Sequence, residues 1–344
     1  MFYTLLLSLF IFLFGFFNLF GIKQSLGITM LLNFIVAIVA YFVVKKIGWK
    51  FFRTNAHFFY WLFVFLLILT YIIGLEVKGS RRWIDLLFFR FQASEFFKVF
   101  FILFMADFFA RVSRTRWNVI SFIQSLLYFF IPAAIVFKQP DLGNAMVYFF
   151  LFIVMLFFSH IPKKFLGYMI GAGALFTPLA CFFLKEYQKN RILSFIMPHV
   201  ETQTNAYNMI QAIITIGSGN MFGRGLGLGT QSRFYFLPEN STDFAFSSLV
   251  EQFGFLGGAA VLIFYGILLI ILIKRTYKFV YTDNEDGHFA FLYLIGLIAF
   301  IFFQSFVNIG MNMGVLPIAG IALPFISYGG SMLVSLLIGF ALIP

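Results

Sequence analysis

Charge is what this 344-residue chain has least of: Asp, Glu, Lys and Arg together make up 11%. Soluble domains carry roughly 25%. A soluble fold of this size would leave its surface apolar, so a soluble globular enzyme, a disordered chain and a nucleic-acid module are excluded. Cysteine is nearly absent, and the single Cys181 rules out an internal disulfide framework. Histidine is scarce. His57, His160, His199 and His288 lie far apart, with no HExxH or C-x-x-C pattern for zinc. Acid is rarer than base, 13 side chains against 24, which leaves a net charge of +11. What is abundant is apolar: 62% of the residues, including 56 Phe, with mean hydropathy +0.97. That composition fits an all-α polytopic membrane protein.

Apolar stretches of about 20 residues, enough to cross a bilayer, run near 3–20, 26–44, 57–74, 89–110, 118–137, 142–160, 165–184, 244–273, 288–309 and 326–343. The reading is about ten transmembrane helices. No Lys or Arg precedes the first apolar core, so it is expected to stay as a helix rather than act as a signal peptide. Basic residues set the orientation. Lys45, Lys46, Lys50, Arg53, Arg111, Arg114, Arg116, Lys163, Lys164, Lys274, Arg275 and Lys278 all fall on one side of a ten-span chain. The positive-inside rule makes that side, and both termini, cytoplasmic. Residues 1–344 are expected to form a single membrane domain. Within it, 185–243 is an extracellular loop between helices seven and eight. Connections this long are usually functional or disordered. Tyr207, Phe222, Phe234, Tyr235 and Phe236 argue for partial order at the membrane surface. No convincing internal repeat is present, which weighs against an inverted-repeat transporter.

The polar residues inside this apolar background carry the functional signal. GSGNMFGRGLGLG (217–229) has six glycines but neither a P-loop nor a GxGxxG pattern. It reads either as a flexible turn or as a backbone wall for a substrate's polar head, with Arg224 as an anion contact. In LPENSTDFAF (237–246), Asp243 falls at the outer end of the eighth span, as a helix cap or as a functional carboxylate. Glu251 follows eight residues on, about 12 Å further inward. An intramembrane carboxylate is a functional candidate by default. In FRFQASEFFKVF (89–100), Arg90, Ser94 and Lys98 fall on one helix face, and Glu95 can pair with Lys98. Lys98 and Glu251 are expected to line one polar cavity beneath Asp243. Asp107 and Arg111 read as a helix-end pair, and Asp141 as a plain N-cap.

Taken in order, these motifs resemble the SEDS family (shape, elongation, division and sporulation proteins). The matches are RRWIDLLFFRFQASEFFK (81–98), KQPDLG (138–143), YNMIQAIITIGSGNMFGRGLGLGTQ (207–231), FLPENSTDFAF (236–246) and NIGMNMGVLPIAGIALPFISYGGS (308–331). Details such as GTQ, FLPE and NIGM resemble the RodA branch. Departures are Ala93 for proline, Ser241 for histidine, Gln252 for a second glutamate and Ala245 for a bulkier residue.

The resemblance implies an inverting peptidoglycan glycosyltransferase of cell-wall synthesis and shape maintenance. It would polymerise lipid II into a lipid-linked glycan at the outer face of the inner (cytoplasmic) membrane. A class B penicillin-binding protein would be its partner. The family's essential aspartate maps to Asp243. An undecaprenyl pyrophosphate leaving group is already a stable anion, so the reaction needs cations and one base rather than an acid. Arg82, Lys98, Arg224 and Arg233 are the cation candidates, and Glu239 joins the substrate-binding set. Arg90, Glu95 and Glu251 support it. A divalent cation could share the pyrophosphate charge, but no ligand cluster requires a metal. The rival readings are a lipid II flippase and a non-catalytic scaffold of the cell-wall complex.

Overall fold

The computed structural model describes residues 2–77, 80–85, 90–115, 117–162, 164–169, 171, 195, 205–282 and 284–344. A backbone in hydrocarbon must satisfy its own polar groups, so the apolar runs become helices. The helices α1 (Phe2–Ile22) and α2 (Gln24–Ile47) turn about Lys23. Short α3 (Trp49–Thr54) leads into α4 (Ala56–Ile73). A small antiparallel sheet follows, β1 (Leu75–Val77), β2 (Ser80–Asp85) and β3 (Arg90–Phe91). Three helices come next: α5 (Ala93–Thr115), α6 (Val119–Lys138) and α7 (Leu142–Phe158). The C-terminal half holds α8 (Asn205–Ser218), α9 (Thr230–Arg233), α10 (Ala245–Thr276), α11 (Glu285–Asn312) and α12 (Gly330–Ala341).

Among the described residues, α1, α2, α4, α6, α10 and α11 are long and apolar enough to cross a membrane. Every span read from the sequence overlaps helical residues; of 165–184 only 165–169 and 171 are described, and these are helical. Two spans need correction. The fourth starts at Ala93, not 89: Arg90 pairs with Asp85 across β2 and β3, so it is not on a helix face with Ser94 and Lys98. The last is only 12 residues, too short to cross alone. Before it, 313–329 is largely non-helical, yet Ile321, Leu323, Phe325 and Ile326 are buried. Irregular backbone at such depth is tolerated where protein surrounds it and supplies hydrogen bonds. Here Asn308 Nδ2 donates to the Ile321 carbonyl (2.7 Å), and Tyr265 donates to that of Pro324.

The buried centre is α5, packed between α4, α7, α11 and α12. Its residues from Val99 to Ala106 are all apolar and all buried. Two faces can be distinguished. On one, Lys45 reaches the Ile343 carbonyl at 3.5 Å, and Arg53 joins Asp107 (2.9 Å), Glu285 (2.7 Å) and Asp286. Arg111 holds the other Asp107 oxygen at 2.6 Å, as the helix-end reading expects. The C-terminal end of α1 and the start of α2 lie on the opposite face, a helix length away. The site is built there.

Candidate active site

The helix α10 is broken at Gly254 (φ 72, ψ −173). The bend is sharp: a Cβ at Gly258 would meet Val250 at 2.9 Å and Phe246 at 3.6 Å. A break inside an apolar helix strands backbone groups. The glycine-rich loop supplies them. Arg224 N donates to the Glu251 carbonyl (2.9 Å) and Gly225 N to that of Gln252 (3.1 Å). In return Phe255 N donates to Asn220 (2.8 Å) and Leu256 N to Met221 (3.2 Å). Only glycine permits this approach. A Cβ at Gly223 (φ 85) would lie 2.1 Å from the Gln252 carbonyl. The glycines therefore close on the chain's own helix; they do not form an open wall for a substrate.

Glu251 sits under the same loop. Its carboxylate accepts from Gln231 N (2.8 Å), Ser232 N (3.0 Å) and Ser232 Oγ (2.6 Å). It thus caps α9 from another helix. Gln252 lies alongside. Its Nε2 donates to Asn18 Oδ1 (2.7 Å), and its Oε1 accepts from Gly227 N (2.9 Å). Gly227 in turn packs on Gly21 at the end of α1.

Asp243 is half-buried, two residues before α10 begins. Four neighbours pin three successive carbonyls, those of residues 241–243. Its carbonyl accepts from Asn308 Nδ2 (3.0 Å) and Asn312 Nδ2 (3.0 Å), both on α11. The Thr242 carbonyl accepts from Ser327 Oγ (2.6 Å), and that of Ser241 from Tyr328 N (2.8 Å). Ile326 beside them touches Gly15, whereas Gly227 touches Gly21. At 1.5 Å per residue, Asp243 lies about 9 Å below the glycine-rich rim. The expected order of depth is reversed: Glu251 is at the rim and Asp243 beneath it.

The cation candidates separate. Lys98 is fully buried, 2.7 Å from Glu95 and over the Phe300 ring. It pairs with Glu95, its neighbour one turn back, whereas Glu251 is held by Gln231 and Ser232. Glu95 Oε2 has no hydrogen-bond partner among the described residues. Arg82 is committed to the turn between α6 and α7, bonding the Gln139 and Pro140 carbonyls and lying 3.7 Å from Asp141. Asp141 caps α7 through Asn144 N, as read. Arg224 and Arg233 are exposed on the rim, with Arg224 Nε on the Ser218 carbonyl (2.9 Å) and Arg233 Nη1 near that of Gly227 (3.4 Å). Arg90 is exposed. Glu239 is exposed at φ 53 and accepts from Thr242 Oγ1 (2.8 Å). Among the described residues no group of three or more His, Cys, Asp or Glu side chains could hold a metal. The sequence reading gave no role to Asn18, Asn308, Asn312 and Ser327. Their signal was available for α11, where Asn308 and Asn312 stand one turn apart in an apolar helix.

A helical membrane protein with one aspartate on a pinned backbone segment, recessed beneath a glycine-sealed rim, is the class these features define. The whole chain, residues 1–344, matches the cell cycle protein family that groups FtsW, RodA and SpoVE. The chain belongs to that family. It is 32% identical over 313 residues to the peptidoglycan glycosyltransferase MrdB of Escherichia coli (strain K12), covering 90% of this chain and 82% of that protein. It is 34% identical over 283 residues to the probable peptidoglycan glycosyltransferase FtsW of Wigglesworthia glossinidia brevipalpis, covering 81% and 72%. A chain of a solved peptidoglycan synthase complex, studied for its coordination of polymerization and crosslinking, is similar with a TM-score of 0.83 at 28% identity, covering 99% and 95%. The rod shape determining protein RodA of Thermus thermophilus is similar with a TM-score of 0.72 at 25% identity, covering 99% and 94%.

Proposed function

We propose that this chain is a peptidoglycan glycosyltransferase that extends a lipid-linked glycan from lipid II, with Asp243 as its base. The observation that carries the reading is the recessed, three-point-pinned Asp243 segment. A general base must be held to within fractions of an ångström of the attacking hydroxyl. In the reaction the acceptor hydroxyl oxygen bonds to the donor sugar's anomeric carbon. The bond from that carbon to the pyrophosphate oxygen breaks, and the hydroxyl proton passes to Asp243. Arg224 and Arg233, exposed on the rim, are the proposed cations for the departing pyrophosphate. Lys98 and Glu95 support α5 behind them.

The basic face is assigned to the cytoplasm and the rim to the outer side of the cytoplasmic membrane, by the positive-inside rule. Both termini are then cytoplasmic. A class B penicillin-binding protein is the proposed partner. The flippase reading needs polar groups through the full depth of the bundle. The apolar layer from Val99 to Ala106 in α5, about 12 Å deep, argues against it.

The test is the purified full chain, reconstituted with labelled lipid II, with and without a class B transpeptidase. Glycan polymer on a gel is expected. Asp243→Asn should lower the rate by about 10²–10⁴-fold, as loss of a general base does, while thermal unfolding stays close to wild type. A variant polymerising within a few-fold of wild type would remove Asp243 from the chemistry.

A further inference from the structure

We propose that the segment 221–236 is a lip seated in the lipid headgroup region, with its apolar side chains among outer-leaflet phospholipids. The segment is rich in large side chains that no described residue covers. Phe222 is 80% exposed, Leu228 62%, Phe234 63% and Tyr235 58%. Such a surface in water would be anomalous for a soluble face, and its position says what covers it. The helix α1 has 21 residues, about 31 Å, and the part of α10 after its break, 255–276, is about 33 Å long. Each just crosses a hydrocarbon core of about 30 Å. The two lie side by side, with Phe10 stacked on Phe264 at 5.9 Å. Both reach their upper ends at the same place, where Gly227 packs on Gly21 and Gly223 on the Gln252–Gly254 break.

The lip therefore stands at the boundary of two spans. That is the level at which aromatic side chains concentrate in membrane proteins. Arg224 and Arg233, exposed among them, suit lipid phosphates at that level. The backbone bonds from 220–225 to the α10 break hold the lip rigid. This proposal rests on the proposed function only for its topology, which names the leaflet.

The test uses the full chain with Cys181→Ser and single Phe222→Cys or Phe234→Cys substitutions. Each is nitroxide-labelled and reconstituted in phosphatidylethanolamine–phosphatidylglycerol bilayers without any transpeptidase. Tyr235→Cys replaces a variant that is not monodisperse. Power-saturation EPR compares accessibility to oxygen and to a water-soluble nickel chelate. Both positions should favour oxygen by several-fold, and Asn284→Cys, exposed on the basic face, should favour the chelate. A water-like ratio at either lip position overturns the proposal. So does protection from the chelate that appears only when a transpeptidase is added, because the cover would then be protein. No lipid II is present, so failure of the glycosyltransferase reading leaves this result standing.

Discussion

Asn312→Leu tests whether α11 sets the position of Asp243. Asn312 Oδ1 accepts from the Ser247 N–H (3.0 Å) and hydroxyl (2.6 Å). Its Nδ2 donates to the carbonyls of Asp243 (3.0 Å) and Asn308 (2.8 Å). Ser247 is the third residue of α10, and the cap residue Phe244 offers no side-chain hydrogen bond. Asn312 thus caps α10 from a different helix, and loss of a cap typically costs about 1 kcal/mol. Leucine keeps the volume, so no cavity opens. It does leave the Asp243 carbonyl to Asn308 alone and strands the Ser247 donors. A buried unsatisfied group costs roughly 1–3 kcal/mol, so the total is about 2–4 kcal/mol. The released carbonyl belongs to the same residue as the proposed base. A displacement of about 1 Å there can cost about 10²-fold in rate. Thermal unfolding in detergent should shift down, and polymerisation should fall at least roughly tenfold at saturating lipid II. A variant with lowered stability but a wild-type rate would refute the coupling. One unchanged in both would refute the hydrogen-bond assignment itself.

Two further outcomes follow from the buried charges and the helix break. Lys98→Met should destabilise by about 3–5 kcal/mol, because it leaves Glu95 buried and uncompensated. Adding Glu95→Gln should recover much of the loss, and melting curves showing no recovery would count against the pair. Gly254→Ala places a Cβ 2.3 Å from Gly223 N at φ 72, so the loop 219–229 must lift. Limited proteolysis should then cut that loop faster than in the wild type, and an unchanged digestion pattern would contradict the sealing role.

The spans were legible because bilayer thickness and the helical rise leave few choices of length. The errors came where a helix ruler was carried past its end. Opening the span at Phe89 puts Arg90 on a helix face at i, i+4, i+8 with Ser94 and Lys98, although FRFQ alternates apolar and polar residues in the manner of a strand. Counting Glu251 inward from Asp243 assumes that α10 runs along the membrane normal. The warning was in the sequence: Gly254, Gly257 and Gly258 follow within seven residues of Glu251. Glycine in a helix interior costs close to 1 kcal/mol against alanine, and three so close together mark a bend.

The glycine-rich loop shows a different limit. Its positive φ values at Gly223, Gly225 and Gly227 agree with its composition, but composition cannot name the surface being approached. The same holds for Asn312, whose polarity is visible while its partner Asp243 lies 69 residues away. Gln252 makes the point in reverse. The resemblance leads one to expect a glutamate there, yet the side chain must donate to Asn18 and accept from Gly227 at once. An ionised carboxylate can only accept. The amide at 252 and the amide at 18 are therefore one choice made at two distant positions. A single sequence shows both residues and gives no reason to connect them until α1 and α10 are seen to cross beneath the rim.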